Sequence, residues 1–435
     1  MRTNIVASGA DELSYEIREI VDFGKQVESL GVTMIWENIG DPVAKGEKIP
    51  PWIKELIAKA LTDDKTFAYS PTKGLLETRE FLSLSRREAG DGNLDPEDIL
   101  FFNGLGDAVS KVYTNLNENA RVIGPSPAYP THSSAEAAHA GSRHLTYELN
   151  PGRNWLPDIN DLRNKVAYNE SIAGILIINP DNPTGMIYPK RILKEMVSIA
   201  KEYDLFLISD EIYANIEYGS DAFVPLSRLL DGVPAIIMRG LSKEVPWPGA
   251  RCGWIEVYNK ENDPVFARYI KSINDAKMLE VCSTTLPQKV LPDILSDARY
   301  KEYLQSRRDA YSKRADIAHA AIRKIPYVSM VKPSGAFYVT VTFDDNTLSN
   351  AQHLPVENAA VRALVEETTA AFNPYQFDKR FAYYLMAAYG LCVVPLSGFN
   401  TNLHGFRMTL LEEDPAVFKK TLDILAEAIP KYTAS

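Results

Sequence analysis

The sequence predicts an α/β protein in which a mostly parallel sheet is covered by helices, followed by a smaller α+β domain. Three observations carry this. From about residue 95, apolar runs of strand length alternate with amphipathic segments. The clearest unit joins GILIINP at 174–180, YPKRILKEMVSIAKEYD at 188–204 and LFLISDEIY at 205–213; in its middle segment Ile192, Leu193, Met196, Val197 and Ala200 share one helical face. Beyond residue 300 the pattern changes to charged helical stretches and more widely separated strands.

Taken in order, residues 11–36 mix acids, lysines and apolar residues at helical spacing until Gly40, Asp41 and Pro42 break the pattern. Residues 1–44 are therefore expected to form an N-terminal arm and part of the small domain. The large domain is expected over 45–300. It includes DILFFNG at 98–104 leading into the helix start LGDAVSKVY, then PAIIMRG at 234–240 and RCGWIEV at 251–257 as further strands. The small domain is expected over 301–435, with YVSMVKPSGAFYVTV, LCVVPLSGF and GFRMTLL as strands and a closing helix. The polar stretch 343–379, with Asp344, Asp345, Asn346, Asn350, Asn373 and Pro374, reads as a loop and one helix inserted on the surface. No internal repeat or low-complexity tract is present.

With 435 residues the chain is long enough for two domains, and a net charge of -10 argues against nucleic acid or an anionic membrane as partner. Cys252, Cys282 and Cys392 are odd in number and lack C-x-x-C spacing, so a reducing compartment is expected. Gly9, Asp11 and Glu12 break the first apolar stretch and no run reaches membrane-spanning length, so the expected location is the cytoplasm.

Ligands of open α/β sheets bind beyond the carboxyl ends of the strands. Three such ends carry polar residues: Asn179 and Asn182 in N-P-D-N-P-T-G, Asp210 and Tyr213 in S-D-E-I-Y, and Ser242 and Lys243 after PAIIMRG, with Arg251 eight residues on. Singly, each has an ordinary explanation as a turn, a cap or a solvated charge. Together they supply an amine, a carboxylate, an amide, a phenol and a guanidinium, a set that suits pyridoxal 5'-phosphate. Its aldehyde needs the Lys243 amine, its ring nitrogen the Asp210 carboxylate, and its phenolic oxygen donors such as Asn182 and Tyr213. Its phosphate needs N–H groups such as those of Leu105 and Gly106 and a cation such as Arg251. Two other patterns are weaker. G-L-G at 104–106 follows a strand as a dinucleotide site would, but Val109 stands where Gly or Ala is required. His132, His139 and His144 are not at metal-ligand helical spacing, and no metal is expected.

The ordered motifs are N-I-G-D-P at 38–42 with no gap (Asn38 to Pro42), Y-S-P-T-K-G at 69–74, N-G-L-G at 103–106, P-S-P-A-Y at 125–129, N-P-D-N-P-T-G at 179–185, D-E-I-Y at 210–213, S-K at 242–243, P-S-G-A-F-Y at 333–338 and G-F-R-M-T-L at 405–410. Over nearly the whole chain they resemble the class I/II aminotransferases of the fold type I pyridoxal-phosphate enzymes. The resemblance implies a mostly parallel seven-stranded sheet, a homodimer with active sites at the subunit interface, and ping-pong transfer of an amino group between an L-amino acid and a 2-keto acid. It implies that Tyr129 stacks on the cofactor ring, that Tyr69 reaches the phosphate of the neighbouring subunit's cofactor, that Arg407 clamps the substrate α-carboxylate, and that the backbone near Gly40 closes over it. Two positions depart from the pattern. Gly240 stands where many members carry a Ser or Thr phosphate ligand, and Pro395, Leu396, Ser397, Gly398 and Phe399 replace a common P-G-S before Phe.

L-S-Y-E-I-R at 13–18, N-W-L-P-D at 154–158 and G-L-S-K at 240–243 look most like the bacterial alanine aminotransferase branch. That likeness implies alanine and glutamate as donors, pyruvate and 2-oxoglutarate as acceptors, and Tyr15 and Arg18 folded over the pocket. Aspartate or aromatic substrates, or a β-lyase or decarboxylase on the same fold, are the alternatives. A cofactor-sensing regulator is more remote, because the short acidic stretch before Gly40 leaves little room for a DNA-binding domain.

Overall fold

The computed structural model describes residues 5–13, 15–219 and 222–435; the first four residues of the N-terminal arm and Ser14 of the L-S-Y-E-I-R motif lie outside them. The strands run β1 (Ile35–Trp36), β2 (Ile99–Phe102), β3 (Arg121–Ser126), β4 (Thr146–Asn150), β5 (Leu156–Pro157), β6 (Ile172–Ile178), β7 (Phe206–Asp210), β8 (Ala235–Gly240) and β9 (Gly253–Tyr258). After them come β10 (Val328–Met330), β11 (Tyr338–Phe343), β12 (Leu391–Cys392), β13 (Val394–Pro395) and β14 (Gly405–Thr409).

The large sheet has the order β2-β9-β8-β7-β6-β3-β4-β5. β8, β7, β6, β3 and β4 are mutually parallel, and β9 is antiparallel to both β8 and β2. The expected seven strands are joined by an eighth, the two-residue β5. Its Leu156 and Pro157 pair with Asn150 and Leu149 across a short turn, and proline is tolerated there because the strand is at the edge. Side chains alternate between two cores. Ile175, Ile177, Leu207, Ala235 and Ile237 face one, whereas Leu176, Ile178, Ile208, Ile236 and Met238 face the other. Burial on both faces explains why these strands read as unbroken apolar runs. The helix Lys190–Glu202 covers the first core with Ile192, Leu193, Met196, Val197 and Ala200, all buried.

A second sheet, β10-β11-β14-β13, is antiparallel throughout. The stretch read from sequence as one strand from 327 is two, β10 and β11, separated by a loop that packs on the large sheet. In that loop the N–H groups of Ser334 and Gly335 donate to Gly185 O at 2.9 and 2.8 Å. The segment 343–379 does contain one helix, Ala359–Ala370, but it is more than a surface insertion. Asp344, Asp345 and Asn346 are exposed, whereas Leu348, Leu354, Val356, Val361 and Val365 are buried in the core shared with β11 and β14. Near the N-terminus, β1 pairs with β12, and Thr409 N donates to Glu37 O at 3.0 Å. Among the described residues no helix is long and apolar enough to cross a membrane.

Candidate active site

The carboxyl edge of the parallel strands gathers most of the polar residues singled out in the sequence. Asp210 ends β7 and is buried. Its Oδ1 accepts from Ile212 N at 3.1 Å, and its Oδ2 lies 3.1 Å from His132 Nε2. His132 is fully buried, with Nδ1 facing the Tyr113 hydroxyl at 3.4 Å. With Nε2 donating to the carboxylate, Nδ1 is the acceptor for Tyr113. Sequence reasoning weighed His132 only as a metal ligand and missed this contact. The available signal was its place three residues after Tyr129 in the first turn of the helix Pro130–Ala140, which puts both side chains toward the same strand end.

Lys243 follows β8 in the four-residue helix Leu241–Glu244. Its Nζ donates to Gly40 O at 2.5 Å and lies 5.7 Å from the centre of the Phe337 ring. Burial is the main cause that pushes this amine down to about 8; Arg407 and Arg251 push the same way, and Asp41 and Asp210 oppose them. About a tenth is therefore the neutral, nucleophilic form at pH 7, far more than an exposed lysine would supply. Ser242 is half-buried in the same turn. Gly240 has a packing reason for lacking a side chain: a Cβ there would lie 2.9 Å from Cys252 O and 3.2 Å from Gly253 Cα on the neighbouring strand.

Arg407, on β14, is only 1% exposed. Nη1 donates to Asn182 Oδ1 at 3.2 Å and Nη2 to Asn38 O at 2.7 Å, and the guanidinium carbon sits 4.4 Å from the Tyr338 ring centre and 5.2 Å from that of Phe399. Nε is buried without a partner, and none of the ion pairs among the described residues includes Arg407. An uncompensated buried cation costs several kcal/mol. The arrangement is that of a receptor for an anion.

Two phenols stand beside these groups. The Tyr213 and Tyr338 hydroxyls are 2.9 Å apart, and burial raises both above the ordinary tyrosine value, so both stay protonated donors. Tyr338 closes P-S-G-A-F-Y, and nothing in its spacing singles it out in the sequence. Its oxygen is also why Gly40 is a glycine, since a Cβ there would lie 2.3 Å away. The Tyr129 hydroxyl is 3.2 Å from that of Tyr15, which precedes the helix Glu16–Ser29. Arg18 is exposed, 6.0 Å from the Tyr15 ring centre.

At the other end of the site, Leu105 and Gly106 open the helix Leu105–Thr114, so their N–H groups are among those with no intrahelical acceptor. Arg251 stands beside them, with Nη2 donating to Asn103 O at 3.2 Å and Nη1 to Pro248 O at 3.2 Å. Between them is Gly104 at φ +84, where a Cβ would lie 2.5 Å from Arg251 Nη2. Tyr69 does not join the cluster; in the single chain it is 84% exposed.

The sequence profile of the family aminotransferase class I and II matches residues 33–428. An uncharacterised aminotransferase of Methanocaldococcus jannaschii is 51% identical over 99% of both chains. The alanine aminotransferase of Mycobacterium tuberculosis is 30% identical over 77% of each. Among solved structures, the alanine aminotransferase of Pyrococcus furiosus superposes with a TM-score of 0.84 at 26% identity, covering 99% of this chain and 100% of that one.

Proposed function

We propose, from the premise that this chain belongs to the family of class I and II aminotransferases, that it moves an amino group from alanine or glutamate to pyruvate or 2-oxoglutarate with pyridoxal 5'-phosphate as its cofactor. The residues present fit that group. A bare Gly104 keeps the Leu105 and Gly106 N–H groups and the Arg251 guanidinium open to a phosphate. Lys243 would hold the aldehyde carbon, Asp210 the ring nitrogen, and Asn182 and Tyr213 the phenolic oxygen, with Ser242 and Tyr129 beside them. When bound, pyridoxal 5'-phosphate supplies an electrophilic carbon and an electron-withdrawing ring.

The protein's own residues do the rest. Arg407 binds the substrate α-carboxylate by two parallel hydrogen bonds, and this supplies the counter-charge that its buried guanidinium lacks. Gly40, two residues after Asn38, whose carbonyl already accepts from Arg407, closes that side. Lys243 Nζ, whose pKa burial pushes down to about 8, takes the proton from the substrate α-carbon. Asp210 keeps its orientation through Ile212 N and His132, so its charge stays aimed along one direction. The same residues run the second half-reaction in reverse, which gives ping-pong kinetics. The observation that carries the reading is the buried, unpaired Arg407 on the same site as a depressed lysine.

Preference for a small or acidic side chain rests on Tyr15, whose contact with Tyr129 narrows the pocket, and on Arg18 beside it as a receptor for a second carboxylate. Alanine aminotransferases among the similar proteins favour the same choice. A homodimer is part of the proposal. Tyr69, Phe67, Leu279 and Val281 are exposed, at 84%, 72%, 88% and 50%, on segments tied together by Thr285 Oγ1 to Ala68 O at 2.8 Å and Thr72 Oγ1 to Val281 O at 2.9 Å. A second copy is the occupant that would bring Tyr69 to a phosphate.

Titrating the purified enzyme in turn with alanine, glutamate, aspartate, phenylalanine and methionine, and following its visible absorbance, tests this reading. Bleaching of the cofactor band with the best specificity constants for alanine and glutamate is expected. Preference for phenylalanine or aspartate over both would overturn the substrate assignment, and release of ammonia in place of amino transfer would overturn the reaction.

A further inference from the structure

Lys243 and Glu244 end a helix of four residues, so their carbonyls have no continuing helical turn to accept from. Both are taken by one side chain. Arg307, in the middle of the long helix Arg299–Ile322, directs Nη1 to Lys243 O at 2.9 Å and to Glu244 O at 2.8 Å. The same guanidinium reaches the segment after Gly40: its Nε lies 2.6 Å from Glu47 Oε1 and its Nη2 donates to Glu47 Oε2 at 3.1 Å and to the Tyr311 hydroxyl at 2.9 Å. Tyr303 and Tyr311 complete the setting, donating to Glu47 at 3.0 and 3.1 Å. Arg307 is buried, with a side-chain exposure of 6%.

The contacts form a closed circuit. Lys243 is held at its carbonyl by Arg307, Arg307 holds Glu47, and Glu47 lies seven residues along the chain from Gly40, whose carbonyl accepts from Lys243 Nζ. Tyr311 and its helix neighbours Ala315 and Ala318 pack in the same core as Phe406 and Met408, which flank Arg407 on β14. The main chain of Lys243 is thereby indexed to the element that carries Arg407.

We propose that Arg307 is the positioning residue for Lys243: by capping its carbonyl and gripping Glu47 it sets the reach of Nζ relative to Arg407. This rests on the reading of Lys243 as the reacting amine. The direct contact of Arg307 is with the Lys243 carbonyl and not with Nζ, so a change that keeps its charge isolates geometry from electrostatics. Lysine at this position keeps the ion pair with Glu47 but cannot span two carbonyls and a carboxylate at once.

The test uses the holoenzyme and the variants Arg307→Lys, Glu47→Gln and Tyr300→Phe. Tyr300 donates to the Glu244 side chain, on the same short helix but away from the Lys243 main chain, and so controls for local destabilisation. In Arg307→Lys, kcat is expected to fall by about tenfold or more with KM for alanine changed less than about threefold. The midpoint of the pH titration of the visible band is expected to move by about half a unit or more. Tyr300→Phe should move neither, and Glu47→Gln should move both in the same direction by less. If Arg307→Lys fails to fold, Glu47→Gln carries the decision. An unchanged midpoint and kcat in the folded Arg307 or Glu47 variant, or an equal change in Tyr300→Phe, overturns the inference. Borohydride reduction of the wild type separates this from failure of the underlying reading: a cofactor label away from Lys243 refutes that reading whatever the variants do.

Discussion

Asp210 shows what one residue takes from its surroundings. A carboxylate at a strand end is free to rotate, and here Ile212 N and His132 Nε2 hold its two oxygens. Replacing Asp210 with Ala is expected to lower kcat by about a thousandfold, as loss of a preorganised charge does, with Asp210→Glu falling less. His132→Phe keeps the Ile212 bond and removes the other, so a loss of about tenfold is expected, the worth of one charge-assisted hydrogen bond. Steady-state kinetics on folded proteins decide, and equal activity in all the variants removes Asp210 from the site. Asp210, Asn182 and Lys243 were legible because each follows or ends an apolar strand where a polar residue needs a reason; Arg407, inside β14, was legible only through the G-F-R-M-T-L motif. His132 was not, because its partner is 78 positions away and nothing in its spacing to other histidines points to a carboxylate.

The loop N-P-D-N-P-T-G reads as a turn, and the structure shows why it is a stiff one. Asp181 is buried, with Oδ2 accepting from Thr184 N at 3.0 Å and from Thr184 Oγ1 at 2.5 Å, while Oδ1 is buried without a partner. Burial raises its carboxyl from 3.8 to about 7, against the opposing effect of the Thr184 hydrogen bonds and of Tyr188. Between those values the folded chain keeps a proton that the unfolded chain has lost, so this residue makes stability fall as pH rises through the window. Asp181→Asn removes the titration and can still accept from Thr184. Its melting temperature is expected to gain on that of the wild type between about pH 5 and about pH 8, by the equivalent of a few kcal/mol at most. Parallel melting curves across that range would show that the carboxyl titrates at its ordinary value. At this scale the helix Lys190–Glu202 was legible from five apolar positions on one face. The segment 343–379 reads as a surface insertion because Asp344 to Asn346 are consecutive polar residues, whereas the buried Leu354, Val356, Val361 and Val365 span a loop and a helix and follow no single period.

For the whole molecule, the order of strands in the large sheet brings the ends of β6, β7 and β8 to one edge, and Arg407 reaches that edge from the second sheet through Asn182. The order was only partly legible, because parallel runs announce a sheet but do not say that β9 lies between β8 and β2. The proposed dimer is tested at this scale. Inactive Tyr69→Ala and Lys243→Ala chains, mixed, unfolded and refolded together, should regain about a quarter of wild-type activity, since half the dimers are hybrids with one intact site. No recovery, or a fully active monomer by sedimentation, contradicts shared sites. The central claim is that Lys243, seated after β8 with a depressed pKa, is the amine that carries the cofactor of an aminotransferase. Borohydride reduction of the holoenzyme, followed by proteolysis and mass spectrometry, tests it most directly. The expected result is the mass of reduced pyridoxal 5'-phosphate on the peptide containing Lys243, lost when the enzyme is first saturated with alanine; the same mass on another lysine, or on none, would contradict it.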